Sequence, residues 1–322
     1  MIHASGARLR APYFGLAVLA VAASAMLAAC GGGGSGGGDG GFSTPSSPST
    51  STNEPSSPTP SQPQPTAPPI VRTLAAGAEL APTLDAPQAG STAATGDDKQ
   101  GIYTNGFSGI AFVTPTGRFM YKENERWIFG GIDVNAGSWT FRSHTLTLSA
   151  DGTLDSVTGS GDLRTKTSLS GTYSLGAGGT DVLAYMNYSA ANALAVTQDA
   201  MAGTWSSTGS NGFNMSVTID THGNLTGTTT GTTLGTCALA GTLLQTEPTS
   251  SRNMFNVHFT ATNAATGTDP VCDLDLVDAY DGLGGVLMVA VSAYPEEGVR
   301  RSFLFNAATA NGALVTSNLH KR

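Results

Sequence analysis

Short runs of alternating apolar residues, separated by glycine, asparagine, aspartate and proline, make up the chain from Ile102 onward. In Phe255, Val257 and Phe259 the apolar side chains occupy every second position, which places them on one face of a strand. No window keeps the spacing of a sustained amphipathic helix. We therefore predict an all-β fold, with residues 192–201 as the one short helix.

The strand boundaries follow from the turn residues that separate the apolar runs. Thr114-Pro115-Thr116-Gly117, for example, is typical of a tight turn, because proline fits its second position. The predicted strands are 107–113, 118–122, 126–134, 138–141, 144–149, 167–174, 182–188, 203–207, 214–220, 224–229, 236–244, 254–262, 271–277, 285–292 and 300–306.

The sequence also repeats itself. The matched pairs are Gly137–Thr140 with Gly203–Ser206, residues 145–154 with 216–225, and Leu169–Thr172 with Leu239–Thr242. This order indicates two related antiparallel units, each a β sandwich or a small barrel that begins with a tryptophan strand. We place the first unit at 101–198, the second at 199–310 and a tail at 311–322. Trp139 and Trp205 are then equivalent core residues.

The N-terminus has the parts of an export signal: Arg8 and Arg10, an apolar run at 14–27, and small residues before Cys30. Leu27-Ala-Ala-Cys30 resembles the lipobox of bacterial lipoproteins, which implies a signal peptide at 1–29 and acyl chains on Cys30. The alternative is an ordinary signal peptide followed by a chance cysteine. Gly31 after the cysteine implies an outer-membrane location, with the periplasmic or surface-exposed face undecided.

Residues 31–69 are rich in Gly, Ser, Thr and Pro and contain almost no apolar side chain. Such a composition buries too little surface to offset the entropy of ordering. Residues 70–100 are ambiguous, with proline and glycine favouring more linker. We therefore predict that 30–100 is a disordered tether that carries the lipid at Cys30.

Two cysteines remain for the exported part of the chain. Cys237 shares a strand face with Leu239 and Leu243, and Cys272 shares one with Leu274 and Leu276 in the predicted 271–277 strand. Both thiols therefore point inward, which predicts a Cys237–Cys272 disulfide in an oxidising compartment. The alternative is a pair of buried free thiols.

Charged residues are scarce, at 12% of the chain. Without Arg8 and Arg10 the exported part has 13 basic and 23 acidic residues, a formal charge of −10. No basic cluster offers an electrostatic footprint for a phosphate backbone, so we predict no nucleic-acid partner.

Catalytic and metal-binding patterns are also absent from the sequence. His144, His222 and His258 accompany no motif of a hydrolase or a zinc site, and His222 precedes Gly223 at a predicted turn. The carboxylates Asp273, Asp275, Asp278 and Asp281 lack the glycine and closing glutamate of a calcium loop, so we interpret them as a solvated face. We predict no catalytic residue, no metal and no cofactor.

Trp127 has no counterpart in the repeat and lies close to Arg126 and Tyr121. We therefore predict that Trp127 and Tyr121 form an exposed contact for a protein or carbohydrate ligand.

The segment from Met201 onward is similar to a group of uncharacterised proteobacterial lipoproteins, in which a Gly/Ser-rich tether precedes small β domains. The similarity is carried by Gly203-Thr-Trp-Ser, the Gly223-Asn-Leu-Thr-Gly turn, Cys237, Cys272 and Tyr280-Asp-Gly-Leu-Gly. It implies location and fold and carries no known activity. Our leading hypothesis is a non-enzymatic binding or interaction module on a membrane anchor. A structural envelope lipoprotein without a specific ligand is second, and a hydrolase is third.

Overall fold

A computed structural model describes residues 73–322, except 107, 125, 150–152, 176–178, 209–213 and 275. Among these residues, no helix has the length and apolar character needed to cross a membrane. The described chain is almost entirely antiparallel β structure, and it forms two closed eight-stranded barrels. The all-β prediction is confirmed, and barrels rather than sandwiches are the form that the two units take.

The first barrel is built from nine strand segments in eight positions. Its strands are β1 (Gly101–Thr104), β2 (Ile110–Val113), β3 (Arg118–Glu123), β4 (Arg126–Asn135), β5 (Ser138–Phe141), β6 (Leu146–Leu148), β7 (Leu154–Arg164), β8 (Ser168–Leu175) and β9 (Thr180–Tyr188). Strands β5 and β6 share one position, because each pairs with a different half of β4 and of β7. Pairing of β1 with β9 closes the ring.

The second barrel follows a simple up-and-down order. Its strands are β10 (Gly203–Thr208), β11 (Asn214–Ile219), β12 (Asn224–Thr230), β13 (Cys237–Gln245), β14 (Phe255–Asn263), β15 (Tyr280–Ala290), β16 (Val299–Ala308) and β17 (Leu314–Lys321). Closure joins β10 to β17 through the pairs Trp205↔Lys321 and Ser206↔His320. The predicted tail at 311–322 is therefore wrong, because β17 supplies the strand that completes the ring.

The repeat is only partly reproduced in the pairing. Leu169 on β8 and Leu239 on β13 are both buried after a hairpin, as the repeat predicts. Trp139 and Trp205 are both core residues. However, Trp205 lies on the first strand of its barrel, whereas Trp139 lies on β5, after four other strands. The prediction that a tryptophan strand begins each unit is therefore wrong for the first barrel.

Strand β7 was not predicted from the sequence. Its glycines stand at positions where apolar side chains would show the alternation of a strand. Gly161 on β7 pairs directly with Gly171 on β8, and a Cβ on Gly171 would lie 2.5 Å from Cζ2 of Trp139. An eight-stranded barrel has an interior only wide enough for side chains to fill it. The glycines therefore leave the space that the Trp139 indole occupies.

The predicted helix at 192–201 is also replaced by shorter pieces. A 3-10 turn spans Ala190–Ala193 and the four-residue helix α2 spans Gln198–Met201. Extended residues lie between them, and this connector joins the two barrels. A second four-residue helix, α1 (Thr92–Thr95), precedes β1.

Residues 73–100 pack against the barrels, so the prediction that they belong to a disordered tether is wrong. Glu79 forms an antiparallel bridge with Val299 and a bidentate ion pair with Arg301, with Nη2 to Oε2 at 3.0 Å. Further along, Thr92 is fully buried and its hydroxyl accepts a hydrogen bond from the backbone N–H of Asn253. We call residues 73–100 the strap. Its order depends on these polar contacts, which hydrophobic periodicity does not reveal.

The outer faces of the two barrels meet in an apolar interface. Its residues are Ile102, Ile110, Phe112 and Met120 of the first barrel and Met254, Leu283, Leu287 and Leu304 of the second. At its border, the guanidinium of Arg118 donates a 3.1 Å hydrogen bond to the Asn256 side chain. Burial lowers the pKa of Arg118, and the nearby Asp281 carboxylate opposes that shift. The apolar residues of this interface form a third buried core, in addition to the interiors of the two barrels.

Side-chain amides complete the β ladders where the barrels join. Oδ1 of Asn253 accepts from the Val286 N–H and its Nδ2 donates to the Val286 carbonyl, both at 2.7 Å. Asn192 bonds the N–H and carbonyl of Ile102 in the same way, at 2.9 and 2.7 Å. An amide side chain carries one acceptor and a donor, as a backbone amide does. Each of these asparagine side chains therefore makes the pair of hydrogen bonds that a residue of a neighbouring strand would make.

We expect Asn253→Ala to lower the free energy of unfolding by about 2 kcal/mol or more, because it leaves the buried N–H and carbonyl of Val286 without their partner and each costs about 1 to 3 kcal/mol. Urea titration followed by tryptophan fluorescence measures the change.

Ser302→Ala is the matched control, because Ser302 is equally buried and its hydroxyl has no hydrogen-bond partner among the described residues. We expect this variant to unfold at the wild-type urea concentration. Equal midpoints for all three proteins would show that Asn253 has no such role.

Candidate functional site on the disulfide loop

The connection between β14 and β15, residues 264–279, is the longest between strands of the second barrel, and we call it the disulfide loop. The predicted 271–277 strand is wrong, since its described residues form only an isolated parallel bridge, between Val271 and Thr236. Gly235 makes that crossing possible: its φ is +67°, and a Cβ there would lie 1.8 Å from the Val271 carbonyl oxygen.

The predicted disulfide is confirmed. Cys237 on β13 and Cys272 in the disulfide loop are bonded and buried. Backbone hydrogen bonds add to this attachment, from Thr236 N–H to the Pro270 carbonyl at 2.9 Å and from Asp273 N–H to the Leu234 carbonyl at 3.0 Å. The loop is thus held to the barrel at several points along its middle.

Three apolar side chains of this loop point into solvent. Val271 is 63% exposed, Leu276 is 47% exposed and Val277 is 89% exposed. Single exposed apolar residues are ordinary on protein surfaces. Here, however, three occur within seven positions of a loop that is fixed by a disulfide. Leu276 was predicted to share the inward face of Cys272, and its exposure corrects that prediction.

The surroundings of the exposed side chains are acidic. Residues 253–299 contain seven aspartates and glutamates and no lysine or arginine. Asp269 and Asp273 belong to the disulfide loop and are exposed. Asp278 is half-buried and accepts a hydrogen bond from the Asn311 side chain. Asp275 lies outside the described residues. The loop therefore combines apolar side chains with negative charge.

The predicted ligand contact at Trp127 and Tyr121 is wrong, because the structure buries both rings. Trp127 is 7% exposed and lies under the Lys122 ammonium, with Nζ 5.5 Å from the ring centroid. Burial lowers the pKa of that ammonium. Tyr121 is 1% exposed in the interior of the first barrel. Neither ring offers the surface that a ligand would stack against.

Tyr121 instead belongs to a polar network at one end of the first barrel. Its hydroxyl and the Asn105 amide each donate to the Glu123 carboxylate at 2.6 Å. Beside them, Arg126 forms an ion pair with Asp181 and donates to the Tyr173 hydroxyl at 2.6 Å. Burial raises the pKa of Tyr173, and Arg126 opposes the shift. These groups satisfy one another, so the network closes the end of the barrel.

The interior of the second barrel is filled by side chains. The internal cavity is only about 10 Å³ and has an entirely apolar lining that includes Met215, Phe259 and Phe303. A volume near 10 to 15 Å³ is about that of one water molecule. This barrel therefore has no room for an internal small-molecule ligand.

A shallow groove of about 140 Å³ lies on the second barrel near the β10–β17 junction. Hydroxyl side chains line it, and Arg322 donates from Nε to the Ser206 hydroxyl at 2.6 Å. The guanidinium is thus already used to hold two strands together.

His258 lies beside a carboxylate on the surface, and His222 lies in a turn. Nδ1 of His258 lies 2.8 Å from Oδ1 of Asp281, and both side chains are more than half exposed. Among the described residues, no hydroxyl or thiol hydrogen-bonds to this imidazole.

His222 and Gly223 form the predicted turn, in which Asp220 accepts from the His222 and Asn224 N–H groups at 2.8 Å. The Asn224 side-chain amide, which donates to Oδ2 of Asp220 at 2.7 Å, and these backbone bonds lower the pKa of the Asp220 carboxyl group.

No group of three or more histidine, cysteine, aspartate or glutamate side chains that could hold a metal ion occurs in the described part of the chain. Cys30, the predicted signal peptide at 1–29 and the predicted tether as far as residue 72 lie outside that part.

Comparison with protein-family models, with curated proteins and with solved structures finds no match to this chain. The assignment of a site therefore depends on the geometry alone, and the disulfide loop is a surface that combines several exposed apolar side chains with a fixed conformation.

We expect removal of the disulfide in the Cys237→Ala/Cys272→Ala variant to lower the free energy of unfolding by about 3 to 4 kcal/mol, as closure of a loop of this length predicts. Urea titrations of the variant and of the wild type, with and without reductant, measure the difference.

Reductant should shift the wild type toward the variant and leave the variant unchanged. Alkylation that detects two free thiols at these positions in the native wild type would contradict the prediction.

Proposed function

We propose that this chain is a lipid-anchored, non-enzymatic interaction module of the outer membrane that contacts a partner protein through the disulfide loop. The observation that carries the proposal is the exposure of Val271, Leu276 and Val277 on a loop fixed by Cys237–Cys272. Holding apolar side chains in water opposes folding, because their burial is favourable by roughly 25 cal/mol per Å². A partner that covers them would recover that free energy.

The barrel geometry supports a contact through surface side chains. Each barrel is closed, so neither leaves an unpaired strand to which a peptide could add. The second barrel has no room for an internal ligand. Of the modes by which small β domains bind, an exposed loop is the one that this arrangement offers.

The proposed anchor extends this interpretation. Acyl chains on Cys30 would hold the protein at the membrane, since each buried methylene contributes about 0.8 kcal/mol. Residues 31–72 would then separate the barrels from the anchor. A tether of that kind raises the local concentration of a binding surface near a membrane-bound partner.

A structural envelope protein is the second candidate, and the filled second barrel favours it. The polar network around Glu123 and Arg126 also favours the structural role, because these charged side chains bind partners within the same barrel. On this alternative the protein would occupy the periplasm without a specific partner.

The anchor is tested by metabolic labelling with palmitate. We expect the wild-type chain to carry the label and Cys30→Ala to lose it, since the thiol is the proposed attachment atom. Cys237→Ala serves as the control and should keep its label. Label that persists in Cys30→Ala would refute the anchor.

The interaction is tested by placing a photo-cross-linking amino acid at Val277 in intact cells. We expect one adduct of defined mass, because a specific contact traps one partner. The same amino acid at Val182, which is 64% exposed on the first barrel, is the matched control. No adduct at Val277, or the same adduct from both positions, would favour the structural alternative.

A further inference from the structure

The electrostatic surroundings of the disulfide loop restrict what can bind there. Seven carboxylates and no lysine or arginine occur in residues 253–299, and the exported chain as a whole has a formal charge of −10. A contact that covers Val277 brings its own border close to Asp273 and Asp278. Like charges brought together at an interface cost free energy, whereas complementary potentials speed association and select partners.

The fixed conformation of the loop adds a second constraint. The disulfide at Cys272, the bridge at Val271 and the hydrogen bond from Asp273 N–H to the Leu234 carbonyl hold the backbone before binding. Preorganisation lowers the entropy that binding has to overcome. A flexible acidic segment would bind basic partners with little selectivity. A fixed loop presents its apolar and acidic groups in one arrangement.

We propose that the disulfide loop binds a partner protein that presents an apolar contact bordered by lysine and arginine side chains. This inference rests on the proposed function and names the chemical class of its partner. The exposed Val271, Leu276 and Val277 would supply the buried centre of the interface. Asp269, Asp273 and Asp278 would form a charged rim, the part of an interface that mainly sets association rate and selectivity.

The same charges disfavour two other occupants. A second copy of this chain, related by a two-fold axis, would bring two acidic loops together. An anionic lipid surface attracts basic segments and would repel this loop. Both occupants give distinct outcomes in the experiment below.

The probes are three immobilised twelve-residue peptides, composed of alternating leucine and lysine, leucine and glutamate, or serine and lysine. The full chain, kept in a non-ionic detergent, flows over each surface. We expect binding to the leucine–lysine peptide alone, and we expect that binding to weaken as salt is raised. Equal binding to the leucine–glutamate peptide would overturn the charge requirement, and equal binding to the serine–lysine peptide would overturn the apolar one.

Variants locate the contact. Leu276→Ser/Val277→Ser should weaken binding about tenfold or more, the effect of losing a central apolar contact. Asp273→Asn should weaken it about threefold at low salt, the size of a rim ion pair. Val182→Ser, an equally exposed apolar position on the other barrel, should leave binding unchanged. Unchanged binding by the loop variants would place the contact elsewhere and overturn the proposal.

Two further measurements exclude the other occupants. Sedimentation of the full chain should give the same oligomeric state for the wild type and Leu276→Ser/Val277→Ser, and vesicles of phosphatidylglycerol should retain the two proteins equally, because the proposed acyl chains insert in both. A change in either would overturn the assignment of a basic protein partner. If Val277 gives its cross-linked adduct in cells while the peptides show no charge preference, the proposed function stands and the partner class falls. If the adduct itself is absent, the proposed function falls.

Discussion

Satisfying the backbone hydrogen bonds at the ends of paired strands is the constraint on which this architecture depends. Buried N–H and carbonyl groups need partners, and a strand that continues beyond its neighbour leaves them without one. The side-chain amides of Asn192, Gln198 and Asn253 supply those partners, each bonding one backbone N–H and at least one backbone carbonyl. Because these amides come from the connector and from the residues before β14, the junction between the barrels is held by the same bonds that complete their ladders.

The sequence predicted well where a single physical pattern decides the outcome. Alternation fixes which side chains face the core, so Phe255, Val257 and Phe259 and the inward position of Cys237 could be predicted correctly. Alternation fails to predict β7, because Gly159 and Gly161 have no side chain that would show which face points inward. Tertiary contacts also decide structure that the local sequence does not show. The burial of Trp127 and the order of the strap depend on residues far away in the chain.

The candidate site likewise has one feature that the sequence predicts and one that it does not. The cysteine pair could be predicted, whereas the exposure of Leu276 could not. Alternation from Cys272 places Leu276 inward if the segment is a strand, but the disulfide and the close approach at Gly235 hold it as a loop. Once the regular strand is lost, the parity of the positions after Leu274 no longer determines which side chains are buried.

The strap determines how tension along the chain would reach the two barrels. The chain contacts the second barrel, at Val299 and Arg301, before it enters the first barrel at Gly101. A pull transmitted from the residues that precede the strap would therefore load the contacts of Ala75, Ala76 and Glu79 with the second barrel before it reaches any strand of the barrels. Under such a load the strap contacts would break before the strands of either barrel separate. The connection to the preceding residues would then lengthen while both barrels stay paired.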